Sequence, residues 1–310
     1  MRAVVVTRFG GPDVLELRDV PESRPGPGQL LVEVEAIGVN FRDVYEREGS
    51  YGGEPPFVAG VEGAGRVVET GERVTWVAAP GSYAERVAVD EAKAVPVPDG
   101  VPPELAAAAL LQGITAQYLA TSTYPIEAGD TVVVHAAAGG VGRLLVQLAK
   151  ARGARVIATT SGGDKEAAAR SAGADDVLGY DGFADRVREL TGGEGAAVVY
   201  DGIGRTTFEQ SLAALRRRGT LVLYGSASGD PEAYEPARLR NGSLYVTRPQ
   251  LHDYIATREE LLERAGDVLR RVADGSLQVH VGATYALADA ARAQDDLQAR
   301  RTTGKLLLQP

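Results

Sequence analysis

The residues with the clearest chemical capacity lie in Thr131-Val-Val-Val-His135-Ala-Ala-Ala-Gly139-Gly140-Val141-Gly142, which runs into Arg143-Leu-Leu-Val-Gln-Leu-Ala-Lys150. An apolar strand, a glycine turn and a helix start, in that order, form a cradle for a pyrophosphate. The glycines let backbone N–H groups approach the phosphates, and the helix N-terminus adds positive potential. On the G-x-G-x-x-G frame the run reads Ala137-x-Gly139-x-x-Gly142, with alanine in the first glycine position. A second apolar strand, Ala154-Arg-Val-Ile-Ala-Thr-Thr160, follows at the spacing of one βαβ unit of roughly thirty residues.

The end of that second strand selects the cofactor. An NAD pocket places Asp or Glu there to accept hydrogen bonds from the ribose hydroxyls. This chain has Thr159-Thr160-Ser161, with Lys165 just beyond. Hydroxyls and a cation where a carboxylate would repel phosphate predict a pocket that prefers NADPH.

These residues need a scaffold, and the pattern of the chain supplies two. Residues 1 to 120 read as short strands (Ala3–Val6, Leu30–Gly38, Gly65–Glu69, Arg73–Ala78 and Ala84–Ala88) separated by turns such as Gly10-Gly11-Pro12 and Pro98-Asp99-Gly100. Dense turn punctuation of this kind writes an antiparallel or barrel-like β domain. Residues 121 to 253 alternate strand and helix, which predicts a parallel sheet covered on both faces. Its strands are expected at Thr131–Ala136, Arg155–Thr160, Asp176–Gly179, Ala197–Asp201, Leu221–Gly225 and Ser243–Val246, with helices such as Asp164–Ala172 and Phe208–Leu215 between them. Residues 254 to 310 return to helix Thr257–Asp274, a strand near Val279–Tyr285, helix Leu287–Arg300 and strand Lys305–Leu308, and are expected to complete the first domain.

Composition narrows the function. A chain of 310 residues, 44% hydrophobic, can bury a large core and suggests two domains. Its net charge of -9 argues against a general nucleic-acid or anionic-membrane surface. The one dense basic run, Arg216-Arg217-Arg218, reads as a solvated helix end leading into Gly219. With no cysteine, disulfides and thiolate zinc sites are excluded. The first residues are too soon interrupted for a secretory signal and no apolar run reaches membrane-spanning length, so a cytoplasmic protein is expected.

Several runs together resemble the medium-chain dehydrogenase/reductase superfamily, and within it the zinc-free NADPH:quinone oxidoreductases of the zeta-crystallin-like group. They are Gly38-Val-Asn40-Phe-Arg-Asp43-Val-Tyr45, Gly49-Ser-Tyr51, Gly60-Val61-Glu62-Gly63, Leu111-Gln-Gly113, the His135 to Gly142 turn, Tyr200-Asp201-Gly202-Ile-Gly204, Gly242 to Pro249 and Arg300-Arg-Thr-Thr-Gly304-Lys305. The resemblance implies an α/β chain with a GroES-like β-rich catalytic domain and a Rossmann doubly wound parallel-sheet domain. Zinc members carry Cys and His where this chain has Asn40 and Val61, and neither an amide nor an isopropyl group replaces those ligands. His252 and His280 lie far from these motifs, so no metal site is expected, and alcohols are excluded as substrates.

By the same resemblance, Ser161, Lys165, Tyr180 and Arg300 hold the 2′-phosphate, and Gly140 and Val141 approach the pyrophosphate. Gly202, Gly225, Ser226 and Ala227 line the ribose and nicotinamide, and Val246, Thr247 and Arg248 frame the carboxamide. Phe41, Arg42, Asp43, Tyr45 and Tyr118 close the nicotinamide side, with Asp43 also expected to cap or orient its loop. Ser226 departs from the asparagine usual in the family.

The expected chemistry is hydride transfer to a planar, electron-poor acceptor, a quinone or a conjugated carbonyl. Positioning supplies much of the rate. Asn40 is expected to donate to a developing oxyanion, and Tyr45 or Tyr51 to donate a second hydrogen bond or a proton. An enoyl-thioester or 2-alkenal reductase is the second reading, since Gly-x-Tyr51 also resembles enoyl reductases. A non-catalytic, crystallin-like or RNA-binding NADPH protein is the third. A homodimer paired near Ser243–Val246 is expected.

Overall fold

The computed structural model describes residues 1–51 and 53–310. The chain forms two compact units, Met1–Ile114 with Ile255–Pro310, and Thr115–Tyr254. The first begins with strands β1 (Arg2–Val6), β2 (Leu15–Asp19), β3 (Gln29–Val39), β4 (Phe57–Val58), β5 (Gly63–Val67), β6 (Arg73–Trp76), β7 (Arg86–Asp90) and β8 (Ala94–Pro96), with helix α1 (Phe41–Arg47) after β3. Helix α2 (Pro103–Tyr118) follows. The second unit holds β9 (Thr131–Val134), α3 (Gly140–Ala151), β10 (Arg155–Thr159), α4 (Asp164–Ser171), β11 (Asp176–Leu178), α5 (Phe183–Leu190), β12 (Ala196–Asp201), α6 (Phe208–Ala213), β13 (Leu215–Leu223), β14 (Tyr245–Thr247) and α7 (Leu251–Tyr254). The chain then returns through α8 (Arg258–Ala273), β15 (Val281–Ala286), α9 (Ala290–Gln298) and β16 (Lys305–Gln309).

In the first unit β3 is the axis, pairing with β5, β7 and β16. Val32 and Val34 point inward while Glu33 faces solvent, the alternation a one-sided sheet demands. Their face packs with Val4, Trp76, Tyr83 and Leu306 in one core. The sequence reading lacks β2, β4 and β8. Four of the five β2 residues are exposed, so β2 shows no apolar face and owes its strand form to pairing with β1.

The second unit is a parallel sheet ordered β11-β10-β9-β12-β13-β14. This is the doubly wound order of dinucleotide-binding sheets, whose halves diverge between β9 and β12 and open a crevice at the strands' carboxyl ends. Arg216–Arg218 are a correction: they lie in β13, not at a helix end. Leu215 pairs with Ala196 and Thr220 with Val198, so the ladder shifts there and Arg218 turns left-handed at φ 60°. The charged bulge interrupts the apolar pattern, so the sequence reading begins this strand only at Leu221. β9 ends at Val134, short of the expected Ala136, because Ala136 is also left-handed, at φ 49°. Among the described residues no helix is long and apolar enough to cross a membrane.

Candidate active site

The turn after β9 is built for close approach. A Cβ on Gly142 would lie 2.4 Å from the Ala136 carbonyl oxygen, so only glycine lets α3 start against this turn. Gly140 and Val141 form the first turn of α3, whose N-cap Gly139 brings no side chain to its N–H groups. Those donors and the helix dipole face whatever occupies the cradle.

At the end of β10, Lys165 Nζ donates to Ser161 Oγ at 3.2 Å. Thr159 registers with Leu178 of β11, so Ser161 and Tyr180 each leave their strand two residues past that pair. The structure thus gathers Ser161, Lys165 and Tyr180 in one corner of this unit. Arg300 belongs to the other unit, exposed after α9 with φ 57°.

Across the crevice, Gly202 and Gly225 pack together. A Cβ on Gly225 would come within 2.9 Å of the Gly202 carbonyl oxygen, and Ala227 N–H donates to that oxygen at 3.2 Å. Arg248 donates to Ser226 Oγ at 3.3 Å and pairs with Asp230 at 2.8 Å. Val246 and Thr247 sit in β14, registered with Leu221 and Val222. Tyr118 is buried and stacked on Tyr254, with centroids 4.1 Å apart.

In the first unit, α1 carries an aromatic cluster. Phe41 and Tyr45 are 6.1 Å apart, Tyr45 and Tyr51 stack at 6.4 Å, and the Arg42 guanidinium lies 5.0 Å over the Tyr51 ring. Tyr51 is 51% exposed. The same unit holds a buried ion pair. Lys305 Nζ donates to Glu62 Oε2 at 2.6 Å and to Asn40 Oδ1 at 2.7 Å. Asn40 Nδ2 donates to Glu62 Oε2 at 2.9 Å and to the Gly38 carbonyl at 3.3 Å, and the other Glu62 oxygen accepts from Leu111 N–H at 2.6 Å. The Asn40 amide hydrogens therefore point into the protein, away from the oxyanion role expected of them.

Asp43 Oδ2 accepts from Asn40 N–H and from Tyr83 O–H, both at 2.8 Å. The first bond caps α1, as anticipated. Its Oδ1 is buried without a partner. Burial raises the carboxyl pKa to about 7, against the hydrogen bonds from Asn40 and Tyr83 and the charge of Lys305.

Residues 26–99 match the alcohol dehydrogenase GroES-like domain and residues 140–265 the zinc-binding dehydrogenase family. The chain is 42% identical to a quinone oxidoreductase of Pseudomonas aeruginosa, with 97% of each covered. The chain belongs to the quinone oxidoreductases of the medium-chain dehydrogenase/reductase superfamily. A mycobacterial protein solved in complex with NADPH matches this quinone oxidoreductase family member with a TM-score of 0.98 and 47% identity, covering 100% of both chains. A 2-haloacrylate reductase from a Burkholderia species is 40% identical, with 99% of this chain and 98% of the relative covered.

The residues here do not fit a zinc ion. Among the described residues no three His, Cys, Asp or Glu side chains cluster to hold a metal, and the Asn40 and Glu62 oxygens are already bound by an ammonium group. The NADPH-binding features do fit, on the Gly142 close approach and the Ser161–Lys165 corner. Lys305 is the member of the first-unit cluster that sequence reasoning missed, although Gly304-Lys305 stood among the family motifs.

Proposed function

We propose that this protein is an NADPH-dependent oxidoreductase that reduces a quinone without a metal. The observation that carries the reading is the buried Lys305–Glu62–Asn40 cluster. It ties Asn40, which stands where zinc members of the superfamily carry a cysteine ligand, to a buried ammonium group. Without a Lewis acid to stabilise an alkoxide, the acceptor must already be electron-poor.

NADPH, when bound, supplies the hydride. Gly140, Val141 and the start of α3 hold the pyrophosphate, and Ser161, Lys165, Tyr180 and Arg300 hold the 2′-phosphate. Gly202, Gly225, Ser226 and Ala227 line the ribose and nicotinamide, and Val246, Thr247 and Arg248 frame the carboxamide. Phe41, Arg42 and Tyr118 exclude water on the nicotinamide side. Tyr45 and Tyr51 donate hydrogen bonds to the acceptor oxygens as charge develops. Asn40 and Asp43 anchor the helix that carries Tyr45.

The 2-haloacrylate reductase relative keeps a conjugated C=C acceptor as the second reading. Steady-state turnover of a naphthoquinone against a crotonyl thioester, with NADPH and NADH, with and without a chelator, tests the choice. Preference for the thioester, or loss of activity on chelation, overturns the first reading. The proposal includes a cytoplasmic homodimer joined through β14, the outer strand of its sheet, where Tyr245 is 60% exposed. Light scattering of the purified protein checks the stoichiometry.

A further inference from the structure

The assignments above leave unused a chain of polar residues buried in the parallel-sheet unit: Thr159, His135, Ser211, Thr207 and Asp201, none more than 2% exposed. Asp201 Oδ1 accepts from the N–H groups of Ile203 and Gly204 at 2.8 and 3.0 Å, and Oδ2 from Thr207 Oγ1 and Ser211 Oγ at 2.7 and 3.0 Å. Ser211 Oγ also lies 2.8 Å from the Thr207 carbonyl and 2.9 Å from His135 Nε2. His135 Nδ1 is 2.7 Å from Thr159 Oγ1.

Counting protons fixes the direction of this chain. A serine hydroxyl has one proton, and at Ser211 both Asp201 and the Thr207 carbonyl compete for it. The Asp201 carboxylate is a stronger acceptor than a neutral imidazole nitrogen, so Ser211 keeps its proton for the former and accepts from the imidazole. Burial holds His135 below its usual pKa, opposed by Asp201, so the ring keeps a single proton, on Nε2. The bare Nδ1 then accepts from Thr159.

The sheet order gives the chain its reach. Thr159 ends β10, His135 follows β9 and Asp201 ends β12, and these three strands are adjacent. The relay therefore crosses the carboxyl edge of the sheet, from the segment leading to Ser161 and Lys165 to the turn that holds Gly202. We infer that His135 is a positioning residue for the cofactor: locked as the Nε2–H tautomer, it ties the 2′-phosphate end of the site to the ribose and nicotinamide end. Discrimination for the phosphate then depends on Ser211, which lies on the far side of the imidazole from it. This inference rests on the NADPH reading proposed above.

Two measurements test it. Long-range 1H–15N correlation spectra of the cofactor-free, 15N-labelled protein at neutral pH give the tautomer directly. The Nε2–H form is expected, and an Nδ1–H form or an imidazolium overturns the inference. Fluorescence titration of wild type, Ser211→Ala, Thr159→Val and the double variant with NADPH and NADH gives the affinity ratio. Ser211→Ala is expected to lower the NADPH preference about fivefold, the worth of one ordinary hydrogen bond, and the double variant to fall short of the two single effects multiplied. An unchanged ratio in Ser211→Ala overturns the coupling, since a general loss of stability weakens both cofactors alike. Wild-type protein that does not prefer NADPH defeats the cofactor reading instead, while the tautomer result stands by itself.

Discussion

Replacing Lys305 with Met is the perturbation whose cost follows most directly from the structure. Nζ lies 2.6 Å from Glu62 Oε2, and at an effective dielectric of about 20 that separation corresponds to an attraction of about 6 kcal/mol. Removing each ion from water costs several kcal/mol, so the intact pair comes near to breaking even. The variant loses the attraction and leaves the Glu62 carboxylate at 0% exposure. Asn40 Nδ2 and Leu111 N–H still donate to it, which places the expected loss at about 3 kcal/mol, the lower end for a broken buried pair. Lys305→Met/Glu62→Gln leaves no buried ion in this cluster, but its one amide oxygen can accept from only one of the two donors, so about 1 kcal/mol should return.

Urea unfolding followed by circular dichroism measures both variants at neutral pH. A single variant that loses less than about 1 kcal/mol, or a double variant no more stable than the single, refutes the argument. Activity supplies a second reading of the same pair. Asn40 loses the donor to its carbonyl in both variants, so the turnover number for quinone should stay depressed in the double variant even where stability recovers.

Three further outcomes are expected. The Asp43 carboxyl, raised by burial from 3.8 to about 7, keeps its proton in the native state where the unfolded chain has released it. Its contribution to stability is complete below about pH 4 and is lost as pH rises to about 7, an effect of about 4 kcal/mol. Asp43→Asn should flatten that fall, and parallel stability–pH curves for the two proteins would count against it. Lys165→Ala should weaken NADPH about tenfold or more while leaving NADH nearly unchanged, as expected for loss of a charged hydrogen bond, and equal losses in titration would remove the phosphate assignment. Tyr51→Phe should slow naphthoquinone reduction by less than about tenfold, because its rate rests on positioning as well as on one hydrogen bond. Abolished thioester turnover in the same variant, alongside a wild-type preference for the thioester, would instead make the tyrosine a proton donor.

The candidate residues of the two units were not equally legible in the sequence, and the reason is distance along the chain. The Gly139–Gly142 turn and the Thr159–Ser161 strand end are local: each announces itself through a few neighbouring residues whose backbone needs are fixed by steric fit. The first half of β13 was obscured by its own three arginines, which bulge where an apolar run was needed to extend the strand read from Leu221. The Lys305–Asn40 contact spans 265 positions, and no window on the sequence holds both residues. A route to it nevertheless exists. Leu306, Leu307 and Leu308 face Val39, Gly38 and Ile37 in an antiparallel ladder, and extending that register by one step sets Lys305 opposite Asn40. A Cβ on Gly38 would lie 2.2 Å from Glu62 Oε2 and 2.9 Å from Lys305 Cε, so the glycine is what leaves room for the pair. A lysine at the start of an apolar strand reads as a solvated end by itself. Paired against a strand that carries an amide at the facing step and a glycine two residues before it, the same lysine has nowhere to go but into the polar pocket that Asn40 and Glu62 provide.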